Sequence, residues 1–148
     1  MALRRFLAAI FLVGALGLGS ELILVGHFED VWQQVPLVLI AAGVVALASY
    51  AARPNPPTRT AFRLTSVLMV VGGALGLGLH YQSNVEFELE MYPDLNGLRL
   101  VREALTGAIP ALAPGALIQL GLIGLAYSYC PSGTHDAPDV IQGQEKTL

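Results

Sequence analysis

Long runs of apolar residues, separated by short polar stretches, dominate the pattern of this chain. A helix needs about 20 residues to cross roughly 30 Å of hydrocarbon, and four runs come close to that length. They cover residues 6–26, 35–52, about 61–79 and about 112–129. The pattern predicts an all-α integral membrane protein with four transmembrane helices.

One hexapeptide occurs twice, in the first and the third apolar runs. Residues 14–19 and residues 73–78 both read Gly-Ala-Leu-Gly-Leu-Gly. The helices that follow also correspond, because 36–48 and 114–126 share proline, glycine and leucine at matching positions. Matches in the same order favour two related helical hairpins. The first and third helices cross the membrane in one direction, so the hairpins are predicted to be parallel repeats about an axis along the membrane normal.

This organisation divides the chain into segments. Residues 1–52 form the first transmembrane hairpin, and residues 61–130 form the second. A Pro-rich cytoplasmic linker at 53–60 joins them. The second outer loop carries an insertion at about 83–109, and the polar segment 131–148 is predicted to be a disordered cytoplasmic tail.

The insertion has a pattern of its own. Apolar and acidic residues alternate over 85–91, which predicts an extended segment or a frayed helix end. From about Asp94 to about Thr106, apolar residues recur at helical spacing. This spacing predicts a short amphipathic helix that lies on the outer membrane surface. A loop folded over the bundle as a lid is the alternative.

The composition agrees with a membrane protein. Hydrophobic residues make up 54% of the chain and charged residues only 13%, whereas about a quarter of a soluble domain is charged. The sequence has no phosphate-binding loop after a strand, no Ser-His-Asp arrangement and no basic surface for nucleic acid. It therefore predicts neither an enzyme nor a nucleic-acid-binding protein.

The arginines predict the orientation. They precede the first helix or lie between the second and third: Arg4, Arg5, Arg53, Arg59 and Arg63. Because basic loops remain in the cytoplasm, both termini are predicted to be cytoplasmic in a multi-pass plasma membrane protein, with a bacterial inner membrane favoured. Two arginines before an apolar run also resemble a cleavable signal, but recurrence of the hexapeptide favours a retained helix.

The two hexapeptides differ in the polar residue that shares their helix face, Glu21 in the first copy and His80 in the second. Small residues mark packing faces in membranes, so we expect the glycine stripes to meet and to bring Glu21 close to His80. With His27, Glu86 and Glu88, this pair forms a candidate site for a divalent transition metal. The alternative is a polar clamp that only holds the hairpins together.

Two functions follow from these patterns. The first is a structural or accessory subunit that binds a membrane protein, or a second copy of itself, through its acidic outer loop. The predicted contact residues are Phe87, Leu89 and Leu98. The second is a proton- or metal-handling transport or binding protein that uses Glu21 and His80. The small size of the chain favours the first, because four helices leave little room for a substrate path.

Overall fold

The chain folds into five α-helices in a computed structural model that describes residues 2–107, 110 and 113–130. No β-strand occurs in these residues. The helices are α1 (Ala2–Leu24), α2 (Val31–Ala52), α3 (Pro56–Met91), α4 (Gly97–Leu105) and α5 (Gly115–Tyr129). The predicted all-α fold is therefore confirmed. The predicted tail at 131–148 lies outside the described residues.

Three of the four predicted membrane spans correspond to long apolar helices. Within the described residues, α1, α2 and α3 are each long and apolar enough to cross a membrane. The fourth apolar run forms α5, which has 15 residues and is about 22 Å long. This helix alone is shorter than the roughly 30 Å of a hydrocarbon core.

Four of the helices form a bundle. Around it the order is α1, α2, α3 and α5, and α5 closes the bundle against α1. The helices α1 and α3 are therefore diagonally opposite, and α3 packs most extensively against α5. Large side chains fill the interior, among them Phe11, Phe62 and Met69, which are fully buried. Many other apolar side chains on these helices are exposed, which is compatible with a bundle surrounded by lipid.

Short capped connections join the first three helices. Asp30 begins α2 by accepting hydrogen bonds from the backbone N–H groups of Trp32 and Gln33, at 2.7 and 3.1 Å. Asn55 begins α3 in a capping box with Thr58. The link between α2 and α3 is therefore only residues 53–55, shorter than the predicted 53–60. The two prolines that suggested a longer linker occupy the first turn of α3, where proline is tolerated.

The expectation that the two glycine stripes meet is wrong. A Cβ atom added to Gly14 would be 2.8 Å from the side chain of Leu120, and one added to Gly73 would be 2.7 Å from the side chain of Ile118. Leu120 and Ile118 both belong to α5. The stripes on α1 and α3 face α5 because these two helices are diagonal to each other. Gly17, from the same hexapeptide, has no atom within 4 Å of an added Cβ.

The closest helix approach is between α3 and α5. A Cβ atom on Gly121 would be 2.5 Å from the carbonyl oxygen of Ser66 and 3.0 Å from the backbone nitrogen of Val70. Gly124 also meets the side chain of Ser66. Close backbone packing through small residues is the usual basis of helix association in membranes. The glycines of α5 and Gly73 of the second hexapeptide therefore form this close contact together.

The last third of α3 differs from its predicted structure. Helix α3 remains helical through residues 85–91, where an extended segment or a frayed helix end was predicted. No helix-breaking residue occurs until Pro93, which disfavours helical conformation at Tyr92. At 36 residues, α3 is about 54 Å long and extends well beyond the rest of the bundle.

Helix α4 runs back along this extension. It begins at Gly97 rather than near Asp94, and it contacts α3 but no other described helix. Asn84 of α3 is buried, and its side-chain N–H donates to the carbonyl oxygen of Ala104 at 2.8 Å. We call residues 81–105 the projecting hairpin. Because α4 is antiparallel to α3, it neither covers the bundle as a lid nor lies across its end.

Candidate functional site

The turn after α1 places His27 at the end of the bundle. Gly26 has a φ of +70°, the left-handed conformation that glycine adopts most readily. The N–H of Gly26 donates to the carbonyl of Ile23, and the N–H of His27 donates to the carbonyl of Leu22. This is a Schellman motif, which stops α1 and reverses the chain. His27 therefore points back across the bundle. We call this the histidine end.

His27 meets His80 of α3. The two ring centroids are 6.2 Å apart, and the rings are inclined by 62°. His80 is held on its other side by the carbonyl oxygen of Pro110, 3.2 Å from Nδ1. Since a carbonyl can only accept, Nδ1 carries a proton, and in the neutral ring the lone pair is at Nε2. Both imidazoles are only partly buried and remain accessible.

The three candidate carboxylates do not join the histidines. Glu21 is exposed, and within the described residues it forms no hydrogen bond or ion pair with His80. Glu86 accepts a hydrogen bond from Gln82 at 3.0 Å, and Glu88 lines a cleft between α3 and α4. In the described ranges, no three His, Cys, Asp or Glu side chains are close enough together to hold a metal ion. The structure thus brings together the two histidines, not the five candidate residues.

The projecting hairpin carries the three predicted partner-binding residues. Leu98 is 89% exposed, Phe87 is 47% exposed and Leu89 is 36% exposed. Leu98 also belongs to an exposed stripe on α4 with Val101 and Leu105, which are spaced by one and two helical turns. Apolar side chains thus line the outside of a segment that is otherwise rich in charge.

A cleft lies between the two helices of this hairpin. It is open, has a volume of about 600 Å³, and contains three carboxylates and one guanidinium. These charged groups belong to Glu88, Asp94, Arg99 and Glu103. The hairpin therefore has an acidic inner cleft and an apolar outer stripe.

The opposite end of the bundle contains an aromatic cluster that the sequence analysis did not identify. We call it the arginine end. The guanidinium carbon of Arg4 lies 4.9 Å from the ring centroid of Tyr50 and 4.8 Å from that of Tyr127. Phe62 stacks on Tyr50, with ring centroids 6.2 Å apart, and meets Tyr127 edge-on. No sequence signal pairs these tyrosines with Arg4.

A second arginine ties α3 to α5 at the same end. The Nε–H of Arg63 donates to Ser128 Oγ at 3.0 Å, and its terminal N–H donates to the Ser128 carbonyl at 3.2 Å. The Arg63 guanidinium also lies 4.0 Å from the ring centroid of Tyr129. Within the described residues, both arginines are thus held by rings and hydroxyl or carbonyl oxygens rather than by carboxylates.

Comparison with known proteins gives no relative from which a site could be transferred. No family model matches the chain, and no curated protein or solved structure is significantly similar to it.

Proposed function

We propose that this chain is a multi-pass membrane protein that acts as an accessory subunit. Its projecting hairpin stands outside the cytoplasm and binds a membrane protein whose extracytoplasmic surface is basic and apolar. The proposal rests on the position of the hairpin relative to lipid, its exposed apolar stripe and its charge.

The length of α3 supports this placement. Its apolar part, residues 61–79, has 19 residues and is about 28 Å long, which matches the hydrocarbon thickness. Arg59 and Arg63 lie at one end of this part and His80 lies at the other. Residues 81–91 then extend about 16 Å further. If the arginine end is cytoplasmic, as the distribution of basic residues favours, the projecting hairpin stands in the aqueous space on the other side.

The fourth crossing is part of the same proposal. Pro114 lies against Gly73 and Gly76 of α3, so α5 begins below the level of His80. Pro110, a described residue between α4 and α5, lies beside His80. The positions of Pro110 and of α5 are compatible with a fourth crossing that ends at the arginine end. Both termini are then cytoplasmic.

We also propose that the two helical hairpins arose by duplication. An axis that relates α1 to α3 and α2 to α5 is compatible with the order of helices around the bundle. The residue contacts do not follow such an axis, because Gly14 and Gly73 both face α5.

The exposure of Leu98 is the observation that carries the accessory function. A leucine with 89% of its surface exposed on a short helix outside the lipid gains little from the fold of its own chain. With Val101 and Leu105 it forms a continuous apolar strip, and such strips mark interaction surfaces. Helix α4 is fixed to α3 through Asn84 and Ala104, so the strip is already ordered before a partner binds.

The net charge of the projecting hairpin indicates which kind of partner binds to it. Residues 81–105 contain five carboxylates and two guanidiniums, which leaves a net charge of −3. Two such hairpins repel each other, so a second copy is disfavoured. A partner with lysines or arginines around an apolar patch complements both the acids and the strip.

Photocrosslinking tests this function. A photoreactive amino acid replaces Leu98, and a matched variant carries it at Leu75, which is 61% exposed but lies in the middle of the apolar part of α3. We expect the Leu98 variant to form one protein adduct in native membranes, and mass spectrometry of that adduct to identify a basic extracytoplasmic segment. The Leu75 variant should react with lipid instead.

Three results contradict the proposal. They are the absence of a protein adduct at Leu98, an adduct with a second copy of this chain, and an adduct with an acidic or cytoplasmic segment. A charge test adds a second readout. Replacing Glu86→Gln and Glu90→Gln together should lower the yield of the Leu98 adduct, because the attraction to a basic partner weakens.

A further inference from the structure

We propose that His27 and His80 form a binding site for a divalent transition-metal ion at the histidine end. The chain has three histidines, and two of them meet here from segments 53 positions apart. This site differs from the predicted set of five residues, because it contains no carboxylate. It does not depend on the accessory function.

The distance between the rings fits shared coordination. A metal–nitrogen bond is about 2.0–2.1 Å long and the ring centre is about 1.2 Å behind the nitrogen, so each centroid lies about 3.2 Å from the ion. Two imidazoles on one ion then have centroids about 5–6.5 Å apart, for angles from tetrahedral to linear. The observed 6.2 Å falls within this range.

His80 already has the hydrogen bond typical of a metal ligand. A ligating histidine usually donates its second ring N–H to a carbonyl or a carboxylate, which fixes both the tautomer and the ring orientation. Here Nδ1 of His80 donates to the Pro110 carbonyl, and Nε2 keeps its lone pair. Among the described residues, no hydrogen bond holds the His27 ring. This ring can therefore bind a metal ion without breaking a hydrogen bond.

The surroundings define what kind of ion the site takes. The carboxylates nearest in sequence are Glu21, Glu29, Asp30 and Glu86, and none of these forms a three-residue group with the histidines. Water therefore completes the coordination. Imidazole ligands suit Zn²⁺, Cu²⁺ and Ni²⁺, and Cu²⁺ binds most tightly in this series. Partial exposure of both rings lets the ion enter from solution.

Copper titration of the full chain in detergent tests the site. The protein is purified without a polyhistidine tag, and Cu²⁺ serves as the probe because its paramagnetic resonance spectrum shows directly bound nitrogen. We expect one Cu²⁺ per chain with nitrogen splitting from two imidazoles. His27→Gln and His80→Gln should each weaken Cu²⁺ binding by about tenfold to a hundredfold. Loss of a residue that only hydrogen-bonds to a metal ligand costs this much affinity, and loss of the ligand itself costs at least as much.

His135→Gln is the matched control, because it removes the third histidine from the tail. It should leave the affinity and the spectrum unchanged. Equal binding by the wild type and the His27→Gln/His80→Gln double variant overturns the proposal, as does loss of binding in His135→Gln. The helicity of each variant shows whether it folds. If a variant does not fold, the spectrum of the wild type alone tests the site, because a spectrum without two imidazole nitrogens also overturns the proposal.

Discussion

The guanidinium of Arg4 lies 4.8 Å from the ring centroid of Tyr127, which joins the start of α1 to the last turn of α5. Tyr50 of α2 provides a second ring at 4.9 Å, so one cation holds three helices at the arginine end. Arg4 is half-buried, and the faces of both rings attract its charge.

Replacing Arg4→Ala should therefore destabilise the bundle by about 1–2 kcal/mol, the range of a partly desolvated cation–π contact. Thermal unfolding in detergent measures this as a lower Tm. Arg5→Ala is the control, because Arg5 is exposed and its loss should change stability by less than about 0.5 kcal/mol. Equal Tm values for the two variants would show that the ring contacts contribute nothing.

A methyl group at Gly121 should separate α3 from α5. Its Cβ would meet backbone atoms of Ser66 and Val70, which cannot rotate away as a side chain can. We expect Gly121→Ala to cost about 1–3 kcal/mol, as overpacked positions do, with a lower Tm as the readout. Gly17→Ala adds the same methyl group where no atom lies within 4 Å, so its Tm should be unchanged or higher. A neutral Gly121→Ala variant contradicts the close packing.

The glycines show how far the sequence predicts this fold. Period and composition correctly predicted apolar helices with closely packed glycine faces. They did not predict which helix each face meets, because identical hexapeptides on α1 and α3 carry no information on whether these helices are adjacent or diagonal. Gly121, whose Cβ would come closest to backbone atoms of another helix, belongs to the second half of the repeat, and no feature of that match marks it as the closest contact.

The candidate site, like the helix packing, was predicted from the sequence only in part. Helical periodicity placed His80 on the same face as the glycine stripe, and this led to Glu21 as its partner. The actual partner, His27, lies beyond the end of α1, where helical periodicity no longer applies. Gly26 is the local signal for that turn, since a glycine just after an apolar helix commonly ends it in the left-handed conformation. No local signal placed the Pro110 carbonyl beside His80.

The position of α4 should depend on Asn84. This side chain is 1% exposed and donates to the carbonyl of Ala104, which is also buried. Asn84→Ala leaves that carbonyl without this donor, which costs about 1–3 kcal/mol. We expect faster hydrogen exchange in α4 and unchanged exchange in α1 and α2. Gln82→Ala, at an exposed position nearby, should leave α4 as protected as in the wild type. Protection of α4 in Asn84→Ala would contradict the proposed anchoring.

The orientation of the projecting hairpin is the central claim, and the single cysteine of the chain allows a direct test. Cys130 follows α5 at the arginine end. In intact cells, a membrane-impermeant maleimide should not label the wild type until the membrane is permeabilised. In a Cys130→Ser background, it should label Leu98→Cys at once and should not label Leu75→Cys in the apolar part of α3. Labelling of Cys130 in intact cells, with Leu98→Cys protected until permeabilisation, would contradict the account.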